Sequence, residues 1–340
     1  MGVSARAVGA VRPGPESIAG GGRVPVRGCL PRPVRLRILP RWRARARGSA
    51  RRPTTGPGRP RGPWLQRALS YPLTAIISDL HSNRQALEVA VRDATERGAR
   101  RFVCLGDVIG YGGDPIHNLD LVMQLCGPEP RDLDGNPLEP GLCLQGNHEY
   151  ALLESAADFN ERARAAIEWT REAISAGRDG QGEGASDYWN FLGGLEPMEC
   201  DAVAMFAHGS PRDPVREYVV PSDAQKPQKL AEMFDHMLRP VCFVGHSHVP
   251  AVYYEDARFF RPRDTAGPYE LGVDDSLRAI VNVGSVGQPR DRDPRLSYVL
   301  FSGTQITFVR LPYDVAGAQA VIRSRGALPE YLAQRLADGR

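Results

Sequence analysis

The sequence predicts an α/β protein built as a four-layer α/β/β/α sandwich, two mixed β-sheets lying between helices. From Leu73 onward, short apolar runs of strand length alternate with stretches of helical period, the pattern of βαβ units. In the second half, strand-like runs follow one another. The short Ser302-Gly303-Thr304 segment between two of them suits an antiparallel hairpin.

The elements read in order as follows. Residues 73–78 form a strand, followed by a helix over about 83–97 with Leu87, Val89, Ala90 and Ala94 on its apolar side. A second strand, 101–105, ends at Gly106-Asp107. A helix near 115–126 leads through a loop rich in Pro, Gly and Asp to a strand over 142–145, which ends at Gly146-Asn147-His148. Three strands thus each stop at a polar motif. The stretch of about 151–196 reads as a helical insertion, with Ala165, Ile167 and Trp169 among its apolar residues and a glycine-rich break at 180–184. It is expected to form a cap or an outer helical layer. Further strands are expected over 202–207, 241–244, 252–254, 279–283, 297–301 and 305–310, with a final helix over about 314–338. There is no internal repeat and no heptad pattern.

With 340 residues, 42% of them hydrophobic, the chain can fill one large domain or two ordinary ones. The formal net charge of +3 conceals an asymmetry, because residues 1–70 hold 16 Arg, no Lys and one acid, Glu16. The rest of the chain is therefore acidic. The Arg/Pro/Gly-rich head, with its run Arg41-Trp42-Arg43-Ala44-Arg45-Ala46-Arg47, lacks a sustained hydrophobic period and is expected to be disordered. That leaves a single domain over 71–340. Three roles suit the head's composition: a nucleic-acid tail, which is not favoured, a membrane-surface segment and an organelle transit peptide. A fourth reading is a mis-assigned start, with translation beginning near Leu69 or Leu73. Because the next Met after Met1 is Met123, such a start requires a non-ATG codon. No function is assigned to the head.

The six cysteines form no CxxC pair, and Cys104, Cys143 and Cys242 lie in apolar runs that read as buried strands. They suit small core residues in a reducing compartment. No stretch approaches the ~18 apolar residues of a bilayer span, and no apolar signal region follows Met1. A soluble, cytoplasmic protein is expected, with its oligomeric state left open.

Five of the seven histidines, His81, His148, His208, His246 and His248, fall immediately after predicted strands beside Asp, Asn or Gly. Ligands of open α/β sheets gather at the carboxyl ends of strands, so these loops can converge on one edge. Taken singly, Asp79-Leu80-His81 is an ordinary turn sequence; the whole set reverses those odds. The ordered blocks Asp79-Leu80-His81, Gly106-Asp107, Gly146-Asn147-His148-Glu149, Ala207-His208-Gly209 and Gly245-His246-Ser247-His248 resemble the signature of the calcineurin-like metallophosphoesterase superfamily. The resemblance runs from about Leu73 to Tyr313. The segment 283–292, together with His208-Gly209-Ser210-Pro211 and the Val249-Pro250 that follows His248, is similar to the bacterial phosphodiesterase-like members.

The resemblance implies a binuclear centre in which Asp79, His81, Asp107 and His248 hold one divalent ion and Asp107, Asn147, His208 and His246 hold the other. Asp107 would bridge them. Imidazole and carboxylate ligands suit Mn, Fe, Co, Ni or Zn, and the lack of a thiolate ligand disfavours a closed structural zinc site. Two such ions, ~3.5–4 Å apart, lower the pKa of a bridging water, whose hydroxide attacks phosphorus while both oxygens of the displacement are clamped. His148, not a ligand, matches the general acid of the superfamily.

Asn83 either contacts substrate or caps the helix that starts there. Arg290 either holds a phosphate bidentately or is a solvated surface arginine. His117 and His236 match no motif and read as structural or surface residues. Protein Ser/Thr phosphatases of the superfamily carry an Asp three residues after the bridging one, followed by Arg; here Asp107 precedes Val108-Ile109-Gly110-Tyr111. That departure disfavours a protein phosphatase and removes the orienting partner of His148, unless Asp114 substitutes. The expected activity is hydrolysis of a phosphodiester or phosphomonoester on a small or nucleotide-like molecule. Two alternatives stand beside it: a dinucleotide polyphosphate hydrolase using Tyr111, Trp169 and Arg290, and a non-catalytic scaffold of the same fold, as in a retromer subunit. Retention of His148 and of every ligand favours catalysis.

Overall fold

The computed structural model of the chain describes residues 63–156 and 159–340. As far as residue 62, the disorder expected of the head lies outside the described residues. In chain order the elements begin with α1 (Pro63–Leu69), β1 (Thr74–Ile77), α2 (Arg84–Glu96), β2 (Arg101–Cys104), α3 (Pro115–Cys126) and β3 (Leu142–Cys143). Helices α4 (Asn147–Leu153), α5 (Glu161–Ala176) and α6 (Ala185–Gly193) come next, then β4 (Met198–Cys200), β5 (Ala204–Ala207) and a 3₁₀ turn (Pro221–Gln225). After α7 (Pro227–Asp235) come β6 (Val241–Val244), β7 (Ala251–Tyr254), β8 (Phe259–Phe260), β9 (Ala266–Glu270) and β10 (Ala279–Asn282). The hairpin β11 (Leu296–Phe301) and β12 (Gln305–Leu311) precedes α8 (Val315–Ser324) and α9 (Glu330–Asp338).

The strands form two six-stranded mixed sheets, ordered β3-β2-β1-β11-β12-β9 and β4-β5-β6-β10-β7-β8. Their pleat explains the layering. Successive side chains of a strand point to opposite faces, and here both faces are apolar. Ile76, Val103, Val299 and Phe301 of one sheet meet Phe206, Phe243 and Val281 of the other in a core between the sheets. The Phe243 and Phe301 rings touch there, centroids 4.9 Å apart. The alternate residues Ala75, Ile77, Phe102 and Cys104 pack outward beneath α2, α3, α5 and α6. On the far side, Met205, Cys242, Val244 and Ile280 are covered by Leu230, Met233 and Phe234 of α7. The four-layer α/β/β/α sandwich follows from strands that are apolar on both faces.

Three local features differ from the sequence reading. Pro63–Leu69 is a helix, although 63–70 was assigned to the disordered head. Two turns are too short to show a period, yet Trp64 and Ala68 join the core between the sheets, and Trp64 Nε1 donates to the Val203 carbonyl at 2.8 Å. The final helix is two helices, because Gly326 has a positive φ of 60° and Pro329 occupies the N-cap of α9. Strands β8 and β9 escaped notice because they are largely exposed and lack an apolar alternation, and β4 because three residues are too few for its alternation to register. Between β3 and β4 the chain forms α4, α5 and α6 in succession, α4 starting at Asn147. Among the described residues, no helix is long and apolar enough to cross a membrane.

Because Trp64 is only 4% exposed, Trp64→Ala opens a cavity at the edge of that core. We expect a loss of about 3–5 kcal/mol, read as a lower urea midpoint at unchanged m-value; an unchanged midpoint would show that α1 is not docked.

Candidate metal centre

Strands β1, β2 and β3 run parallel, as do β5, β6 and β10. Each polar motif lies just beyond the carboxyl end of one of them, so the loops leave a common edge. Contacts across the two sheets close the site. The His246 amide donates to Asp79 Oδ2 at 3.0 Å, and His208 Nε2 lies 3.4 Å from Asp107 Oδ2. Asp79, His81, Asp107 and His248 form one buried group with ligand atoms within 4.8 Å of one another, and Asp107, His208 and His246 form a second. Asp107 is common to both. Asn147 Oδ1 joins the second group, 3.1 Å from His208 Nε2. All seven expected ligand residues are therefore brought together.

The imidazoles are aimed by the main chain. One ring nitrogen of each faces a backbone carbonyl: His81 Nδ1 faces Ile109 O at 3.2 Å, His208 Nδ1 Leu105 O at 3.1 Å and His248 Nδ1 Gln288 O at 2.5 Å. His246 uses the other nitrogen, with Nε2 3.1 Å from Arg216 O. A carbonyl only accepts, so each of these nitrogens carries a proton, and in a neutral ring the opposite nitrogen presents its lone pair. Those lone pairs converge. His81 Nε2 and His248 Nε2 are 3.3 Å apart, and His248 Nε2 is 3.1 Å from Asp79 Oδ1, which is buried and has no hydrogen-bond donor. Burial, and then the neighbouring charges of His148 for His81 and of Arg290 for His248, lowers both imidazoles, so neither supplies a proton. Three acceptors facing one another without a donor are costly unless a cation lies among them. The donor set thus fits divalent metal.

The backbone is held in an unusual shape to achieve this. Among the described residues nine non-glycine residues have positive φ, and seven of them, Asp79, His81, Ser82, Asp107, Tyr111, His246 and His248, belong to these loops. A side chain at Gly146 would overlap Asp107. Glu149, which the motif contains but to which no role was assigned, ties the loops together. Its carboxylate accepts from the amides of Asp107 and Gly146 at 2.8 Å and of Ile109 at 3.2 Å. The only sequence signal for it is a capping-type spacing, three residues after Gly146.

A family model described as the calcineurin-like phosphoesterase superfamily domain matches residues 73–305. The chain belongs to this superfamily. An uncharacterized protein of Methanocaldococcus jannaschii is 31% identical over 278 residues, covering 79% of this chain and 98% of that protein. The crystal structure of a metallophosphoesterase from Sphaerobacter thermophilus is similar at a TM-score of 0.64, with 34% identity over 80% of this chain and all of that one. A hypothetical protein from Pyrococcus horikoshii shares the fold, with a TM-score of 0.57, 16% identity, and coverage of 79% of this chain and 98% of that one. The superfamily match ends before α8 and α9.

His148 sits beside the cage, Nε2 4.0 Å from Asp107 Oδ2. Asp114 does not replace the missing acid partner. It pairs with Arg325 instead, at 2.8 Å, and His148 Nδ1 is buried without a hydrogen bond. Rings orient the imidazole in its place: Tyr111 and Phe159 meet it edge-on, with centroids 4.4 and 5.0 Å away. Gly110 makes room for it, since a Cβ there would overlap the ring. Asn83 is engaged within the protein: Oδ1 caps α2 through Ala86 N at 3.2 Å, and Nδ2 donates to Gly287 O at 2.8 Å. Of its two readings the structure bears the capping one. Trp169 packs with the apolar residues of α8 and α9 rather than in the site. His117 pairs with Glu88 and His236 with the Glu232 carbonyl, away from the cage. A cleft of about 280 Å³ opens beside Asn147 and His246, with Tyr111, Tyr150, Phe159, Tyr218 and Arg216 in its walls. Of its aromatic walls the sequence reading names only Tyr111; Tyr150, Phe159 and Tyr218 come from separate loops and a helix.

Burial alone would lower the His208 imidazole, but the adjacent Asp107 carboxylate outweighs it and pushes the group up to about 9. Burial likewise opposes charge on Asp107, yet the surrounding imidazoles, His208 first, hold its carboxyl well below the usual range. Metal-free protein therefore carries a proton on His208 at neutral pH, and a cation must displace it. We expect Mn²⁺ binding at pH 7 to release about one proton, with affinity rising roughly ten-fold per pH unit until about pH 9. Calorimetry in buffers of different ionisation heat reads both quantities, and a pH-independent affinity would contradict the assignment.

Proposed function

We propose that the protein is a binuclear phosphoesterase that hydrolyses a phosphodiester or phosphomonoester of a small, nucleotide-like molecule. Asp79, His81, Asp107 and His248 would hold one divalent cation, and Asp107, Asn147, His208 and His246 the other. The observation that carries this reading is the convergence of buried carboxylates and carbonyl-pinned imidazoles on Asp107, with donor-free acceptors facing one another at His81, His248 and Asp79. Bound there, divalent cations supply Lewis acidity, screening the phosphoryl charge and making water nucleophilic near neutral pH.

The chain's own contribution is exclusion of bulk water, fixed ligand tautomers and a proton for the leaving oxygen. Burial first, then the charge of Arg290, depresses His148 to about 4 against the opposing pull of Asp107, so the imidazole is neutral at rest. An anionic ester arriving beside it favours the charged form. The proton is then acquired with the substrate and delivered to the leaving oxygen. Aromatic walls in the cleft beside His246 suit a planar leaving group such as a nucleobase-bearing moiety.

The test is hydrolysis of bis-p-nitrophenyl phosphate and p-nitrophenyl phosphate by the full chain with Mn²⁺. We expect metal-dependent turnover that falls to background in Asp107→Asn. His148→Ala should lower kcat by ~10²–10⁴, at the low end for p-nitrophenol, whose acidity reduces the need for a proton. It should also flatten the decline of activity at high pH. Absence of turnover from protein that binds two ions would sink the reading.

A further inference from the structure

The loop that follows β5 is tightly held, yet it leaves a large ring open to water. Glu217 accepts from Ser210 Oγ at 2.6 Å and from Arg212 Nη2 at 2.5 Å, and the Arg216 carbonyl faces His246 Nε2 at 3.1 Å. The Tyr218 carbonyl accepts from Lys229 Nζ of α7 at 2.9 Å, and Lys229 is itself anchored by the buried carboxylate of Asp223 at 2.7 Å. Backbone at and before Tyr218 is thus fixed by α7 and by the cage. The Tyr218 ring stacks on His246, centroids 3.7 Å apart and planes 25° from parallel. Even so, Tyr218 is 46% exposed. Apolar surface left in water adds nothing to folding, and this residue lines the cleft beside the cage.

The cleft has the chemistry of a base site. Tyr111, Tyr150, Phe159 and Tyr218 contribute rings to it, and Arg216 lies over the Tyr150 ring, its guanidinium carbon 4.8 Å from the centroid. No acidic side chain is among its described lining residues. Bases stack on aromatic faces and on guanidinium planes. The hydroxyls of a glycerol-like or other aliphatic group would instead lose water against ring faces that cannot pair with them. A volume of about 280 Å³ lies at the small end of the ~300–1,000 Å³ usual for ligand sites, which suits one nucleoside rather than two.

We propose that Tyr218 is a specificity-determining residue, the plate on which the base of a nucleoside ester stacks, so that the site selects esters of a single nucleoside over aliphatic ones. The inference rests on the phosphoesterase reading for the position of the neighbouring phosphate.

AMP and ribose 5-phosphate, which differ by the adenine base, are the probes, used with Mn²⁺-loaded full chain. Competition against bis-p-nitrophenyl phosphate and the ligand-induced rise in Tm both read their binding. Stacking of one base strengthens binding by about 5- to 100-fold, and AMP should outbind ribose 5-phosphate by a factor in that range. The ratio should fall toward one in Tyr218→Leu and return in Tyr218→Phe. Tyr269→Leu, at an exposed ring of β9 that does not line the cleft, serves as the control and keeps the wild-type ratio. Equal weakening of both probes in Tyr218→Leu would mark a ring that only supports His246 and would overturn the assignment, as would equal binding of the two probes by wild type. The Tm shift needs no turnover. Absence of hydrolysis beside a Tyr218-dependent preference for AMP would remove the esterase reading alone, whereas hydrolysis without that preference would remove this inference alone.

Discussion

Everything at this site depends on the lack of protons between its acceptors. Once the main-chain carbonyls have claimed one nitrogen each of His81, His208, His246 and His248, the opposite nitrogens of the neutral rings can only offer electrons, and Asp79 offers more. Like-polarity atoms at hydrogen-bond distance are stable together only around positive charge. In the metal-free state His208 supplies part of it as an imidazolium. The cage is thus a charge deficit built into the fold, and the sandwich exists to hold its two halves together: Asp79 and Asp107 from one sheet, His208, His246 and His248 from the other.

This division explains why so many ligand residues adopt positive φ. A strand that ends at a sheet edge points along its own axis, whereas a ligand must turn across to the facing sheet. Asp79, Asp107, His246 and His248 make that turn within a residue or two, in the left-handed region. The energy comes from the pleated core behind them, where Ile76, Val103, Phe243 and Val281 interlock. Glu149 adds a local clamp by collecting three amides that the turning chain would otherwise leave unpaired.

The sheets and the cage were legible in the sequence for a physical reason. Buried strands such as Val241–Val244 read as unbroken apolar runs, and a rare residue type at the end of each marks where chemistry begins. The architecture around the cage was not legible, because its pieces are common residues brought together from afar. Tyr150, Phe159 and Tyr218 carry no local pattern, and the break between α8 and α9 was hidden by treating Gly326 to Pro329 as helical. Asn83 was ambiguous because capping and substrate binding ask for the same amide; only its contacts with Ala86 and Gly287 separate them. Helix α1 was hidden for the opposite reason, being too short for periodicity to register.

The outer support of the four ligand histidines consists of carbonyls of Leu105, Ile109, Arg216 and Gln288 rather than of side chains. Replacing any of those four residues leaves its carbonyl in place, so point mutation does not readily reach the tautomers that the cage requires. The rim has no such protection. Tyr111 and Tyr218 meet His148 and His246 through their rings, which a single substitution removes. A cage aimed by the main chain and bordered by exchangeable side chains is a layout in which the border can change while the cage keeps its geometry.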